Sequence, residues 1–178
     1  MKRKINHYLI IDGYNIINAW EDLKRIAIDD LDASREKLIN IIIEYAEFSG
    51  QKAIVVFDAY NVKNSMEKVE KRKYITVVYT KEHQTADSYI EKLITSLHKY
   101  DVVKVATNDY AEQQIILGKG ATRVSSRELK IDVEEAKTRM KSKQTSSQRK
   151  IQRNWLEDRL DKETLSKLEN IRRNRWKY

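Results

Sequence analysis

Four short apolar runs constrain this fold more than any other feature: residues 8–11, 53–57, 75–79 and 102–106, rich in β-branched and aromatic side chains. Runs of this length are too short for buried helices. They match strands covered on both faces, as parallel sheets are. Residues 122–124 form a fifth, shorter run. Between the runs, apolar residues recur at helical spacing. Over 31–48 these are Leu31, Leu38, Ile42, Tyr45 and Ala46, and over 86–97 they are Ile90, Leu93, Ile94 and Leu97. Further helices are expected over 111–117 and 126–140. Strands separated by helices predict an α/β three-layer sandwich with a mainly parallel sheet. The length of 178 residues suits one domain with room for an appendage.

Each main run ends in a carboxylate or is followed closely by one. The first leads into Asp12-Gly13-Tyr14-Asn15, the second into Asp58, the third into Thr85-Ala86-Asp87, and the fourth into Thr107-Asn108-Asp109. In a parallel sheet these acids collect at the carboxyl edge of the strands, where α/β proteins bind ligands. Singly, each has a plain structural explanation. Asp12-Gly13 reads as a turn, Asp87 as a first-turn residue behind an N-capping Thr85, Asp109 as its equivalent, and Asp58 as a strand terminator. Together they form a crowd of like charges, which raises carboxylate pKa values or calls for a cation.

Mg²⁺ or Mn²⁺ suits such an oxygen-only donor set. The chain has no cysteine, which excludes disulfides and zinc–thiolate sites, and His7, His83 and His98 are scattered as surface or packing residues. Phosphodiester hydrolysis is the chemistry that fits. Asp12 is then the central metal ligand, with Asp87 and Asp109 completing the coordination directly or through water. Glu91 lies four residues beyond Asp87 on the same helix face and reads either as a supporting member or as the partner of a lysine. Asn15 fits either a phosphate-orienting role or a turn. Tyr14, Tyr60 and Tyr110 follow acids closely and fit base stacking or ordinary packing.

The charge is unevenly placed. Residues 137–178 hold 14 Lys/Arg against 5 Asp/Glu, whereas the preceding 136 residues hold 21 against 22. The body is thus near neutral and the C-terminal quarter a polycation, which favours phosphate-rich partners or simply solubilises the chain. Residues 141–150 read as a linker or a frayed helix. Beyond them, apolar residues including Trp155 and Trp176 recur amid charge, as in one or two basic amphipathic helices. The expected division is a nuclease domain over 1–140 and a basic, mostly helical extension over 141–178. Asn61 to Asn64 read as a polar turn in a chain with no proline and four glycines. The basic N-terminus leads into an apolar run that stops at Asp12, too short for a signal peptide or a membrane span, so a cytoplasmic protein is expected.

Taken together, Ile11-Asp12-Gly13-Tyr14-Asn15, Phe57-Asp58-Ala59, Thr85-Ala86-Asp87 with Glu91, and Thr107-Asn108-Asp109 resemble the NYN division of PIN-like nucleases, and within it the bacterial YacP-like branch. The resemblance continues through Val55 to Tyr60, Tyr79 to Glu82, Tyr110 to Gln113, Gly118 to Ala121 and Ser126 to Leu129, and covers residues 8–140. It implies a PIN-like sandwich, Mg²⁺- or Mn²⁺-dependent endoribonuclease activity, ribosome association and cleavage of translated mRNA. By position, Asp12, Asp87 and Asp109 match the family's acidic site, and Asp58 and Glu91 match second-tier members of it. Asn108 stands where such motifs often have serine.

Three alternatives frame this reading. A non-catalytic RNA- or ribosome-binding module of the same fold is opposed by the intact set of acids. A phospho-receiver domain needs paired acids after the first strand and a lysine ending the last one. Here Gly13-Tyr14-Asn15 and Ser125-Ser126-Arg127 stand at those places. A Rossmann cofactor enzyme needs a glycine-rich loop after the first strand, which is missing.

Overall fold

The computed structural model describes residues 5–58, 66–109 and 117–157, together with Thr164, Lys167 and Asn170; of these, residues 143–157 are described in their backbone alone. The chain divides into two compact units, 1–137 and 138–178. The first unit is built on a six-stranded sheet of order β3-β4-β2-β1-β5-β6. The strands are β1 (His7–Asp12), β2 (Lys52–Phe57), β3 (Lys68–Arg72), β4 (Ile75–Tyr79), β5 (Val102–Ala106) and β6 (Thr122–Val124). All neighbours pair in parallel except β3, which runs antiparallel to β4. The α/β sandwich expected from the sequence is the fold observed.

Alternation along the strands covers both faces of the sheet, as a parallel sheet requires. Ile10, Val56, Val78, Val103 and Val105 pack against Ala86, Ile90 and Ile94 of α4 (Ala86–Ser96). The opposite face is covered by α1 (Gly13–Ala19) and α3 (Leu31–Ser49), the latter lying on β2 and β4, and α2 (Glu21–Asp29) packs on these two helices. Asp30 caps α3 by accepting the Ala33 N–H, and Gly50 ends it in the left-handed conformation (φ 69°) that glycine adopts without strain. Of the stripe expected on α3, Leu38, Ile42, Tyr45 and Ala46 are buried, whereas Leu31 remains 40% exposed at the first turn.

The fifth described helix, α5 (Ser126–Glu157), starts against the α1–α3 face. The Trp20 indole N–H donates to the Ser126 carbonyl at 2.9 Å, and Leu129, Val133 and Ala136 are buried. The helix runs well past the expected end at residue 140. Residues 141–150 are helical rather than a linker, because the stretch has no proline or glycine and its Lys, Gln and Arg residues sustain a helix. In the second unit, 138–157 form the end of α5, and Thr164, Lys167 and Asn170 are also helical. The helix expected over 111–117 except its last residue, the turn at 61–64, Tyr60, Tyr110, Trp176 and the Trp155 side chain lie outside the described residues. Among the described residues, no helix is long and apolar enough to cross a membrane.

Candidate active site

The parallel register brings the ends of β1 and β2 side by side, with Asp12 paired to Val56. Asp12 closes β1 and also caps α1, its Oδ1 accepting the Asn15 backbone N–H at 3.1 Å. Gly13 makes this turn possible. A Cβ there would stand 2.3 Å from the ring of Phe57, which is fully buried. That ring stacks on Tyr79 with centroids 5.5 Å apart and meets Tyr14 edge-on at 5.4 Å. Arg35 of α3 donates from Nε to the Tyr14 hydroxyl at 2.8 Å and lies over its ring, so Tyr14 is fixed beside Asp12.

Asp58 follows β2 directly. Its Oδ1 accepts from the Thr80 hydroxyl at 3.2 Å, and the buried Thr80 donates its N–H to the Phe57 carbonyl at 3.0 Å. Asp87 lies in the first turn of α4, behind Thr85, whose hydroxyl accepts the Ser88 N–H. The loop before it contains His83 in the left-handed region (φ 62°), exposed and facing Glu82. The Asp12 carboxyl is pushed up to about 6. Burial is the main cause, the Asn15 N–H opposes it, and the negative charges of Asp87 and then Asp58 reinforce it. Asp12, Asp58 and Asp87 thus form one electrostatic group.

Asp109 lies at the same edge of the sheet, beyond β5, with its N–H donated to Thr107 Oγ1 at 3.0 Å. Asn15 ties its turn to that of Asp12, because Asn15 Oδ1 accepts the Asn108 N–H at 2.9 Å. Asn108 reaches on to α5. Its Nδ2 donates to Ser126 Oγ at 2.6 Å, and its Oδ1 accepts the Ser126 N–H at 2.9 Å. Glu91 is not drawn into this group; its carboxylate pairs with Lys119 Nζ at 3.1 Å.

Among the described residues, no three His, Cys, Asp or Glu side chains converge tightly enough to hold one ion between them. The donor chemistry nevertheless fits a hard divalent cation. The two charges acting most on Asp12 are both carboxylates, and the set offers oxygen alone. Such a cation fits if it keeps several of its waters, as Mg²⁺ does. Sequence reasoning missed Thr80, Arg35 and Ser126. Nothing local marks them, because each acts on a partner 18 or more residues away.

Residues 9–173 match the YacP-like NYN domain family. The chain is 43% identical over 133 residues to YacP of Bacillus subtilis (strain 168), covering 74% of this chain and 78% of that protein. A crystal structure of Rae1 (YacP) from Bacillus subtilis superposes with a TM-score of 0.68 at 37% identity, covering 96% of this chain and 95% of that one. A crystal structure of a tryptophan-to-leucine mutant of the same Bacillus subtilis protein gives 0.65 at 39% identity, covering 76% and 79%. With its mainly parallel sheet and acidic carboxyl edge, the chain belongs to the YacP-like NYN domain family, with a PIN-like fold and a nuclease-like, RNA-related role.

Proposed function

We propose that this protein is a divalent-metal-dependent endoribonuclease that associates with ribosomes and cuts translated mRNA. The observation that carries the catalytic part is the half-buried Asp12 carboxyl, raised to about 6 chiefly by burial and further by Asp87 and Asp58, at the carboxyl edge of the sheet. A carboxylate placed against like charges is poised to take up a cation. Asp12 and Asp87 would hold Mg²⁺ or Mn²⁺, with Asp109 taking part directly or through water. When bound, the ion supplies charge neutralisation at the scissile phosphate and a more acidic water.

The chain's own residues supply the geometry. The Asn15 N–H holds the Asp12 carboxylate, and the Asn15 side chain holds the turn carrying Asp109. Thr80 holds Asp58. Water adds to phosphorus as the bridging oxygen leaves with a proton, so one fragment keeps the phosphate and the other a hydroxyl. Glu91, paired to Lys119, supports α4 in this reading. The ribosome part rests on the polycationic C-terminal quarter and on the family. The cytoplasm, where mRNA is translated, is the compartment this reading implies.

The second reading, a non-catalytic RNA- or ribosome-binding module, is favoured by one observation: three acids do not converge on a point among the described residues. One experiment separates the two. The protein and its Asp12→Asn and Asp87→Asn variants are incubated with Mn²⁺ and either naked RNA or translating ribosomes. Cleavage on at least one substrate, lost about 100-fold in both variants, supports the enzyme. Cleavage that persists in both variants overturns the site, and silence on both substrates favours the module.

A further inference from the structure

Opposite the acids, at the edge where the parallel strands begin, lies a cavity of about 400 Å³, within the range of small-ligand sites. Its walls include Tyr8 of β1, Lys52 of β2, the β3–β4 turn with Lys71, Arg72, Lys73 and Tyr74, and Gly50, which turns the chain from α3 into β2. Register places these groups together. Tyr8 is the cross-strand partner of Lys52, and the Ala53 N–H donates to the Tyr74 carbonyl at 3.4 Å. Two of the ammonium groups are held against rings, Lys52 Nζ 5.4 Å from the Tyr8 centroid and Lys73 Nζ 4.7 Å from that of Tyr74. These contacts keep the charges at the cavity instead of spread through solvent.

The charges are unequal in availability. Arg72 is committed, with both terminal nitrogens on Glu36 and one also on Glu70. Lys73 faces Glu47 at 3.7 Å across exposed surface, a contact that water screens heavily. Lys52 and Lys71 are exposed and make no ion pair with a described residue. Three ammonium groups against one weakly held carboxylate leave the cavity positive on a body that is near neutral overall. Cations interleaved with tyrosines beside a nucleotide-sized hollow match the chemistry that grips single-stranded nucleic acid, with phosphates on lysines and bases on rings.

We propose that this cavity is a second RNA-binding site, seating a nucleotide of a single-stranded segment, with Lys52, Lys71 and Lys73 on its phosphates and Tyr8 or Tyr74 on a base. Asp12 lies four positions along β1 from Tyr8, a span of roughly 13 Å at strand rise. The site therefore holds RNA without taking part in its cleavage. It shares only the ligand class with the proposed activity, so binding is measured where no cleavage can occur.

The test is fluorescence anisotropy of a labelled 12-nucleotide unstructured RNA, titrated with the full-length protein in EDTA at several salt concentrations. Lys52→Ala/Lys71→Ala/Lys73→Ala is compared with a control, Lys24→Ala/Lys37→Ala/Lys99→Ala, that removes the same charge from other exposed positions. The cavity triple variant should weaken binding at least ten-fold and lower the log–log salt slope by about 2, given ~0.7 per phosphate contact. The control should stay within two-fold. Tyr74→Leu should weaken binding a few-fold with the slope unchanged, because stacking releases no counterions. Equal losses in both triple variants, or none in either, would overturn the site. So would poly-glutamate binding as tightly as RNA with the same dependence on the lysines, because the occupant would then be an acidic protein segment.

Discussion

Replacing Asp12 by asparagine should make the protein more stable at neutral pH while abolishing its proposed activity. The carboxyl rises from an ordinary 3.8 to about 6 on folding, so the folded state holds its proton more tightly than the unfolded chain. For a carboxyl with a raised folded value, the contribution to stability is intact below the unfolded value and is lost as pH climbs through the folded one. Above pH 6 the native state therefore carries a charge it disfavours. At 1.36 kcal/mol per pH unit, the rise corresponds to about 3 kcal/mol. Because Asp12 is only half-buried, screening by water reduces this to roughly 1–2 kcal/mol. Asparagine keeps the cap, since its Oδ1 can still accept the Asn15 N–H and it ranks with aspartate at this position. Thermal unfolding of both proteins from pH 3.5 to 8 measures the effect. The Asp12→Asn melting temperature should coincide with the parent's below about pH 4 and exceed it by roughly 2–8 °C above pH 6, at ~2–4 °C per kcal/mol for a chain of this size. Mn²⁺ should raise the melting point of the parent at pH 7.5 and leave the variant unmoved. A variant less stable than the parent at pH 8, or a gap of the same size at both ends of the range, would refute the reasoning.

Two further predictions concern the site's support and the tail. Gly13→Ala forces a methyl group into the buried Phe57 ring and should cost about 1–3 kcal/mol, read as a lower melting temperature together with lost cleavage. Removing residues 141–178 should weaken co-sedimentation with ribosomes and flatten its salt dependence; unchanged pelleting across salt concentrations would show that the tail does not dock.

Much of the sheet could be read from the chain because buried parallel strands advertise themselves as dense β-branched runs, as Ile54-Val55-Val56-Phe57 does. The edge strand β3 could not. Lys-Val-Glu-Lys-Arg offers one apolar residue, Val69, which stays 45% exposed, and the strand is held by pairing with β4 and by Arg72 on Glu36. Asp12-Gly13 reads locally as a turn, yet α1 begins at Gly13 because the Phe57 ring leaves space only for a glycine and Asp12 supplies the cap. α2 is hidden for a related reason, with Leu23 its one fully buried residue. At the acidic edge, the gathering of Asp12, Asp58 and Asp87 follows from strand order alone. The Lys119 partner of Glu91 does not, because it comes from a loop 28 residues further on.

The central position of β1 has a consequence for how the molecule comes into being. Asp12 ends β1, but β1 lies between β2 and β5, and β5 follows much later in the chain, ending at Ala106. At elongation speeds of about 5–20 residues per second, the strand waits roughly 5–20 s for its second neighbour. During that interval the emerging chain has Asp12 but not the full edge that gathers it with Asp58, Asp87 and Asp109. On the proposed function, the site stays incomplete until β5 has been made and has paired with β1.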